Sequence, residues 1–132
     1  MKKKKILLLG KYIKKKSHNI SIYNFLKKNY MVYFANEFEN FTLKKYDLVV
    51  SYGYGKILNK IQIKKLGCNI INLHIGYLPF ARGIYPLVWS LIFFKPIGIS
   101  IHLIDDERID SGPIIYKKKL NFNNKDTLET IH

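Results

Sequence analysis

The feature that most constrains this chain is a rhythm of short apolar runs, each bounded by turn-forming or helical segments. Residues 5–10 (KILLLG) form an apolar run closed by glycine, which suits a buried strand. Residues 31–35 (MVYFA) and 47–52 (DLVVSY) are rich in aromatic and β-branched residues and read as strands. Residues 69–74 (NIINLH) form a strand with polar residues at its C-terminal end, and residues 98–104 (GISIHLI) alternate along a further strand. Residues 112–120 make a last strand. Between these lie helical patterns: Ile22, Phe25, Leu26 and Tyr30 within 21–30, a short basic helix over 60–66, and residues 86–94 with Pro86 in the first turn. Asp126 and Glu129 have the spacing of a capping box opening a final helix at Thr127. Strands alternating with helices predict an α/β fold: a Rossmann-like, mostly parallel sheet flanked by helices, in one domain over 1–132. That final helix has six residues, too few to bury an apolar face, so the chain is expected to be cut short at its C-terminus.

Composition removes several classes. Hydrophobic residues make up 48% and charged residues 24%, a globular balance that excludes wholesale disorder. Cys68 is the single cysteine, so an internal disulfide framework is excluded and a reduced, cytoplasmic setting is expected. The net charge is +14, and it is lopsided: residues 1–65 carry 16 basic and 3 acidic residues, against 7 and 6 in residues 66–132. Such a field attracts phosphates, nucleic acid or an anionic surface. Yet only Arg82 and Arg108 are arginines, and a nucleic-acid reader favours arginine for bidentate contacts. The lysines are therefore read as a solvated surface. The start, MKKKKILLLG, resembles a signal peptide, but its apolar run of residues 6–9 is too short for one. Residues 87–94 fall well short of the roughly 20 residues that cross a bilayer, so no membrane partner is expected.

In open α/β sheets, ligands bind beyond the carboxyl ends of the strands. No GxGxxG and no P-loop is present there. Asn72 and His74 stand two residues apart in a strand, so their side chains share a face. An amide donor beside an imidazole can serve a developing oxyanion, and a carboxylate from the acidic segment 105–110 can orient the imidazole or a water. That trio suits acyl transfer to an amine without a metal. A metal reading would need His74, His102 and an acid to converge, and the mid-strand position of His102 argues against it.

These residues also carry a resemblance. NLH at 72–74, LPFARG at 78–83, GISIH at 98–102 and DSGPII at 110–115, in that order, resemble the folate-dependent formyltransferase family over residues 47–120. The resemblance implies 10-formyltetrahydrofolate as the donor, with no metal. It assigns Asn72 as oxyanion donor, His74 as a cationic partner in proton transfer, and Asp110 as the group that holds His74 and a relay water. It implies a folate loop of Tyr54, Gly55, Lys56, Ile57 and Leu58, with Asp106 also on the cofactor. Tyr77, Leu78, Pro79, Arg82 and Gly83 would contact the acceptor. The segment through Trp89 and Ser90 looks most like the sugar-nucleotide branch, so a nucleotide-linked amino sugar is the expected acceptor. A methionyl-tRNA formyltransferase-like enzyme and a non-catalytic relative that keeps the fold are the alternatives. Dimers are widespread in the sugar branch, which leaves room for a homodimer.

Overall fold

The computed structural model describes residues 1–11, 18–37, 45–127 and 130. A six-stranded sheet forms the centre. Its strands are β1 (Lys5–Leu9), β2 (Met31–Ala35), β3 (Leu48–Ser51), β4 (Asn69–His74), β5 (Gly98–Leu103) and β6 (Ile114–Lys119). The helices are α1 (His18–Lys27), α2 (Lys60–Leu66) and α3 (Pro86–Ile92). The strand order is β2-β1-β3-β4-β5-β6.

Four strands, β1 to β4, are mutually parallel. β5 runs antiparallel to β4, and β6 antiparallel to β5. The sheet is thus mixed, with the reversal confined to its C-terminal third. An alternating pattern on β5 is compatible with either strand sense, so periodicity alone leaves the direction undetermined.

Residues 6–9 of β1 are continuously apolar because the strand is covered on both faces. Leu7 and Leu9 join Val49, Ile70, Leu58 and Leu66 on the α2 side. Ile6 and Leu8 join Val50 on the other side, packed by Ile22, Tyr23 and Leu26 of α1. Leu7, Leu8 and Leu9 are fully buried, and each such side chain contributes about 1.5–3 kcal/mol of transfer free energy. The sheet's two faces separate cleanly on β4. Ile70 belongs to the α2-side core, while Ile71 and Leu73 pack toward α1. Asn72 and His74 therefore continue the Ile70 face.

Several boundaries differ from the expected ones. α1 begins three residues earlier and presents Ile22, Tyr23 and Leu26 to the sheet, leaving Phe25 69% exposed. Tyr30 lies past its end, where Asn29 and Tyr30 both donate to the Leu26 carbonyl. α3 stops at Ile92, and Phe94 adopts a left-handed backbone (φ +52). β6 is shorter than expected and exposed along its length, as an edge strand. Of the expected capping box at 126–129, Glu129 lies outside the described residues. Asp126 instead accepts from the Asn123 amide (2.7 Å), while Thr127 and Thr130 exchange reciprocal side-chain-to-amide bonds.

α2 has seven residues, fewer than an isolated helix needs, so its start must be fixed by its ends and its packing. Asn59 does this: its Oδ1 accepts from the Gln62 amide (2.9 Å) and Gln62 Oε1 accepts from the Asn59 amide (3.0 Å). This reciprocal capping box satisfies two of the orphan donors of the first turn. Asn59→Ala is expected to lower stability by about 1 kcal/mol, and Asn59→Gly by only a few tenths. Urea unfolding of the three proteins checks the order.

Candidate active site

The site grows from the carboxyl end of β4. Antiparallel pairing sets Asn72 opposite His102 and His74 opposite Ser100. On β5 the residues Gly98, Ser100 and His102 face inward and are buried. Ser100 fixes the loop that follows β4: its Oγ donates to the Gly76 carbonyl (2.7 Å) and accepts from the Leu78 amide (3.0 Å). The loop then returns over His74, whose Nε2 donates to the Ala81 carbonyl (2.9 Å). Gly76 makes this return possible, since a Cβ there would sit 2.5 Å from His74 Nε2 and 3.0 Å from the Ala81 carbonyl oxygen.

Asp110 comes from the acidic segment between β5 and β6. Its backbone is left-handed (φ +46), a conformation that Asp tolerates better than most residues. Gly112 lets the chain turn back against β5, because a Cβ there would lie 1.8 Å from the Leu103 carbonyl oxygen. The carboxylate gathers its partners on both oxygens. Oδ1 accepts from Asn72 Nδ2 (3.2 Å) and lies 3.2 Å from His102 Nε2. Oδ2 accepts from the Gly83 amide (2.8 Å) and lies 3.5 Å from His74 Nδ1.

Electrostatics follow from this geometry. Burial pushes the Asp110 carboxyl upward, but the His102 and Gly83 hydrogen bonds and the two imidazoles outweigh it and hold the carboxyl below its ordinary range. His102 is the converse. Burial pushes it down, but its bonds to Asp110 and to the Leu103 carbonyl, with the nearby Asp105 charge, leave it above its ordinary value.

Two cavities meet at these side chains. The larger, about 590 Å³, runs from Asn72, His74, Gly83 and Asp110 to Lys11, His18, Asn19 and Tyr52. The smaller, about 100 Å³, lies between Ile57, Leu58 and residues 102–110. Asn72 and Asp110 line both. Two compartments sharing an amide donor and a carboxylate suit the transfer of a group from one bound molecule to another.

The residues expected from sequence are distributed unevenly over this arrangement. Asn72, His74 and Asp110 converge. Ile57, Leu58 and Asp106 line the smaller cavity, while Tyr54 is in the core and faces the larger one. Gly55 is exposed at φ +74, and Lys56 is ion-paired with Glu37. Asp106 is held by Arg108, through the backbone amide (2.8 Å) and Nε (2.7 Å). Of the expected acceptor loop, Gly83 alone lines either of these two cavities. Leu78 is a core plug at 1% exposure, preceding a cis peptide to Pro79. Tyr77 lies under Lys117 Nζ (4.6 Å to the ring), and Arg82 is exposed.

Sequence reasoning missed Ser100 and His102 as site residues. Both were visible as alternate positions of GISIH, but their inward direction depends on pairing with β4. His74, His102 and Asp110 do converge, contrary to the expectation that a mid-strand His102 stands apart. Among the described residues no group of three or more His, Cys, Asp or Glu has the arrangement of a metal site.

A strand-end amide, an imidazole and a carboxylate thus stand between two cavities at the carboxyl end of β4 in an α/β sheet. The formyl transferase family model matches residues 11–132, and the chain belongs to that family. It is 40% identical over 87 residues to the methionyl-tRNA formyltransferase of Thermodesulfovibrio yellowstonii, covering 64% of this chain and 28% of that protein. It is 32% identical over 90 residues to the dTDP-4-amino-4,6-dideoxyglucose formyltransferase of Mycobacterium bovis, covering 68% of this chain and 37% of that protein. The chain thus spans between about a quarter and two fifths of these relatives. The fold superposes on the formyltransferase PseJ from Anoxybacillus kamchatkensis, solved with UDP-4,6-dideoxy-4-formamido-L-AltNAc and tetrahydrofolate. The TM-score is 0.78 at 31% identity, over 96% of this chain and 66% of that one. No described helix is long and apolar enough to cross a membrane.

The opposed shifts give a pH signature. Asp110, lowered, contributes stability that is complete above its ordinary value of 3.8 and lost as pH falls through its folded value. His102, raised, contributes stability that is complete below 6.5 and lost as pH rises through its folded value. Asp110→Asn is therefore expected to be destabilised most between about pH 4 and 6.5, with the deficit narrowing on both sides. Unfolding free energies across pH 3–9 test this; a deficit independent of pH contradicts it. A second expectation concerns Gly76→Ala, which should displace the His74 imidazole while leaving the sheet folded, seen as a shift of the His74 ring resonances alone.

Proposed function

We propose that the chain carries the site for formyl transfer from 10-formyltetrahydrofolate to an amine, with a nucleotide-linked amino sugar as acceptor. The observation that carries this reading is the sharing of Asn72 and Asp110 by two cavities. Bound folate supplies the formyl group. The smaller cavity suits it chemically: Ile57 and Leu58 give an apolar wall, and the acidic segment offers acceptors to the N–H edge of a heterocycle. At about 100 Å³ it admits only the edge of such a ring. Ile57 (59% exposed) and the Arg108 side chain (74% exposed) form its solvent-facing rim.

The larger cavity would take the acceptor. Asn72 presents an amide donor at the junction, where charge develops on the acyl oxygen. Asp110 holds Asn72 and lies against His74, so it fixes both groups and can receive a proton through a water. His74 Nε2 is engaged by the Ala81 carbonyl. Its service to an oxyanion requires exchanging that bond for one to substrate, which couples the acceptor loop to the chemistry.

A small acceptor is favoured over tRNA by two features. The neighbour at 31% identity holds a UDP-linked formamido sugar. In addition, the lysine cluster Lys2–Lys5 with Lys45 surrounds the amino ends of β1 and β3, opposite the carboxyl ends where the site lies. Methionyl-tRNA is retained as the second reading because of the 40% identical relative. We place the reaction in the cytoplasm, in keeping with a lone free cysteine.

The experiment is calorimetric binding of 5-formyltetrahydrofolate, followed by formyl transfer to amino-sugar nucleotides and to methionyl-tRNA. Saturable binding that weakens on changing Ile57 is expected. Asn72→Ala should lower kcat by about 10²–10³, the usual effect of losing one oxyanion donor. Full turnover in Asn72→Ala would sink the mechanism. No binding by a folded chain would support the non-catalytic alternative.

A further inference from the structure

His102 is buried at 2% exposure and its hydrogen bonds admit a count of protons. Nδ1 lies 2.9 Å from the Leu103 carbonyl oxygen. A carbonyl oxygen only accepts, so Nδ1 carries a proton. Nε2 then faces two groups at 3.2 Å, Asp110 Oδ1 and Asn72 Nδ2. The Asn72 amide orientation is fixed by the same carboxylate, because turning it over would set Asn72 Oδ1 against Asp110.

An amide nitrogen has two N–H groups. With neutral His102, the Nε2 lone pair takes one from Asn72 and Asp110 takes the other, leaving none for a substrate. That state also sets a lone pair against a carboxylate oxygen. With cationic His102, Nε2 donates to Asp110 and accepts nothing. Asn72 then spends one N–H on Asp110 and keeps the other for the cavity.

We propose that a proton on His102 Nε2 releases one N–H of Asn72 toward the acyl oxygen, making His102 a positioning residue for transfer. The groups that face its ring are Asp110 and Asp105 from the acidic segment and, from β4, Asn72 and His74, whose ring centroid is 6.4 Å away. Burial opposes the cation, and the carboxylates favour it. The consequence for catalysis rests on the formyl-transfer reading, whereas the proton itself is measurable without turnover.

Imidazole nitrogen shifts of the ¹⁵N-labelled protein decide the first part. Both His102 nitrogens should be protonated at pH 7, and Asp110→Asn should bring the titration to lower pH. Kinetics decide the second. Wild-type kcat should fall as His102 loses its proton at high pH. His102→Gln, whose amide nitrogen donates but never accepts, should abolish that fall. His102→Phe should lower kcat at every pH, by about 10²-fold, as Asp110 and Asn72 drift. A lone pair on Nε2 at pH 7 overturns the proposal, as does a wild-type pH profile that His102→Gln leaves unaltered. A cationic His102 in a chain without turnover supports the proton assignment and counts against the formyl-transfer reading alone.

Discussion

The Asp110 carboxylate collects donors from three separate stretches of chain: Asn72 on β4, His102 on β5 and the Gly83 amide in the loop after β4. A carboxylate taken from water costs several kcal/mol unless its lone pairs are satisfied and a positive charge stands nearby. Asp110 meets both conditions, with two imidazoles against its two oxygens. Removing any one donor leaves a charge partly unpaired in a buried place, which is the most damaging change such a cluster can suffer. The site is therefore cooperative, and its geometry is set by the carboxylate.

What holds the carboxylate there is backbone that only certain residues permit. Gly112 approaches the Leu103 carbonyl so closely that no side chain fits. Gly76 clears the space that His74 occupies, and Ser100 ties down the loop on either side of Tyr77. These contacts converge on β5, whose inward residues serve in turn as clearance at Gly98, loop anchor at Ser100 and carboxylate partner at His102. The strand reversal between β4 and β5 is what aims that face at the end of β4.

Much of this was legible in the sequence. β1, β3 and β4 read out because their apolar runs have no other use, and Asn72 and His74 stood out as polar residues at a strand end; within the acidic segment only the family resemblance singled out Asp110. The helix face of α1 was misjudged because Phe25 fits the period as well as Tyr23 does, and only packing decides between them. Leu78 and Pro79 suggested acceptor contacts, yet the Ser100 anchor folds Leu78 into the core. His102 escaped because opposition to Asn72 exists only once the strands run antiparallel.

The direction of β5 therefore matters chemically as well as topologically. Residues opposite each other in an antiparallel pair lie within about 4.5–5.5 Å at Cα. Asn72 and His102 are such a pair, so the amide and the ring are neighbours before any ligand arrives. In the proposed transfer, a donor aimed in advance needs no reorganisation at the moment charge develops. The same proximity makes the amide vulnerable, since a neutral ring would consume the hydrogen bond it should offer. Asp110 resolves that conflict by favouring the cationic ring, and it is itself kept ionised by that ring. Strand sense, carboxylate burial and donor availability are thus one linked arrangement, in which altering the protonation of either partner changes what Asn72 can do.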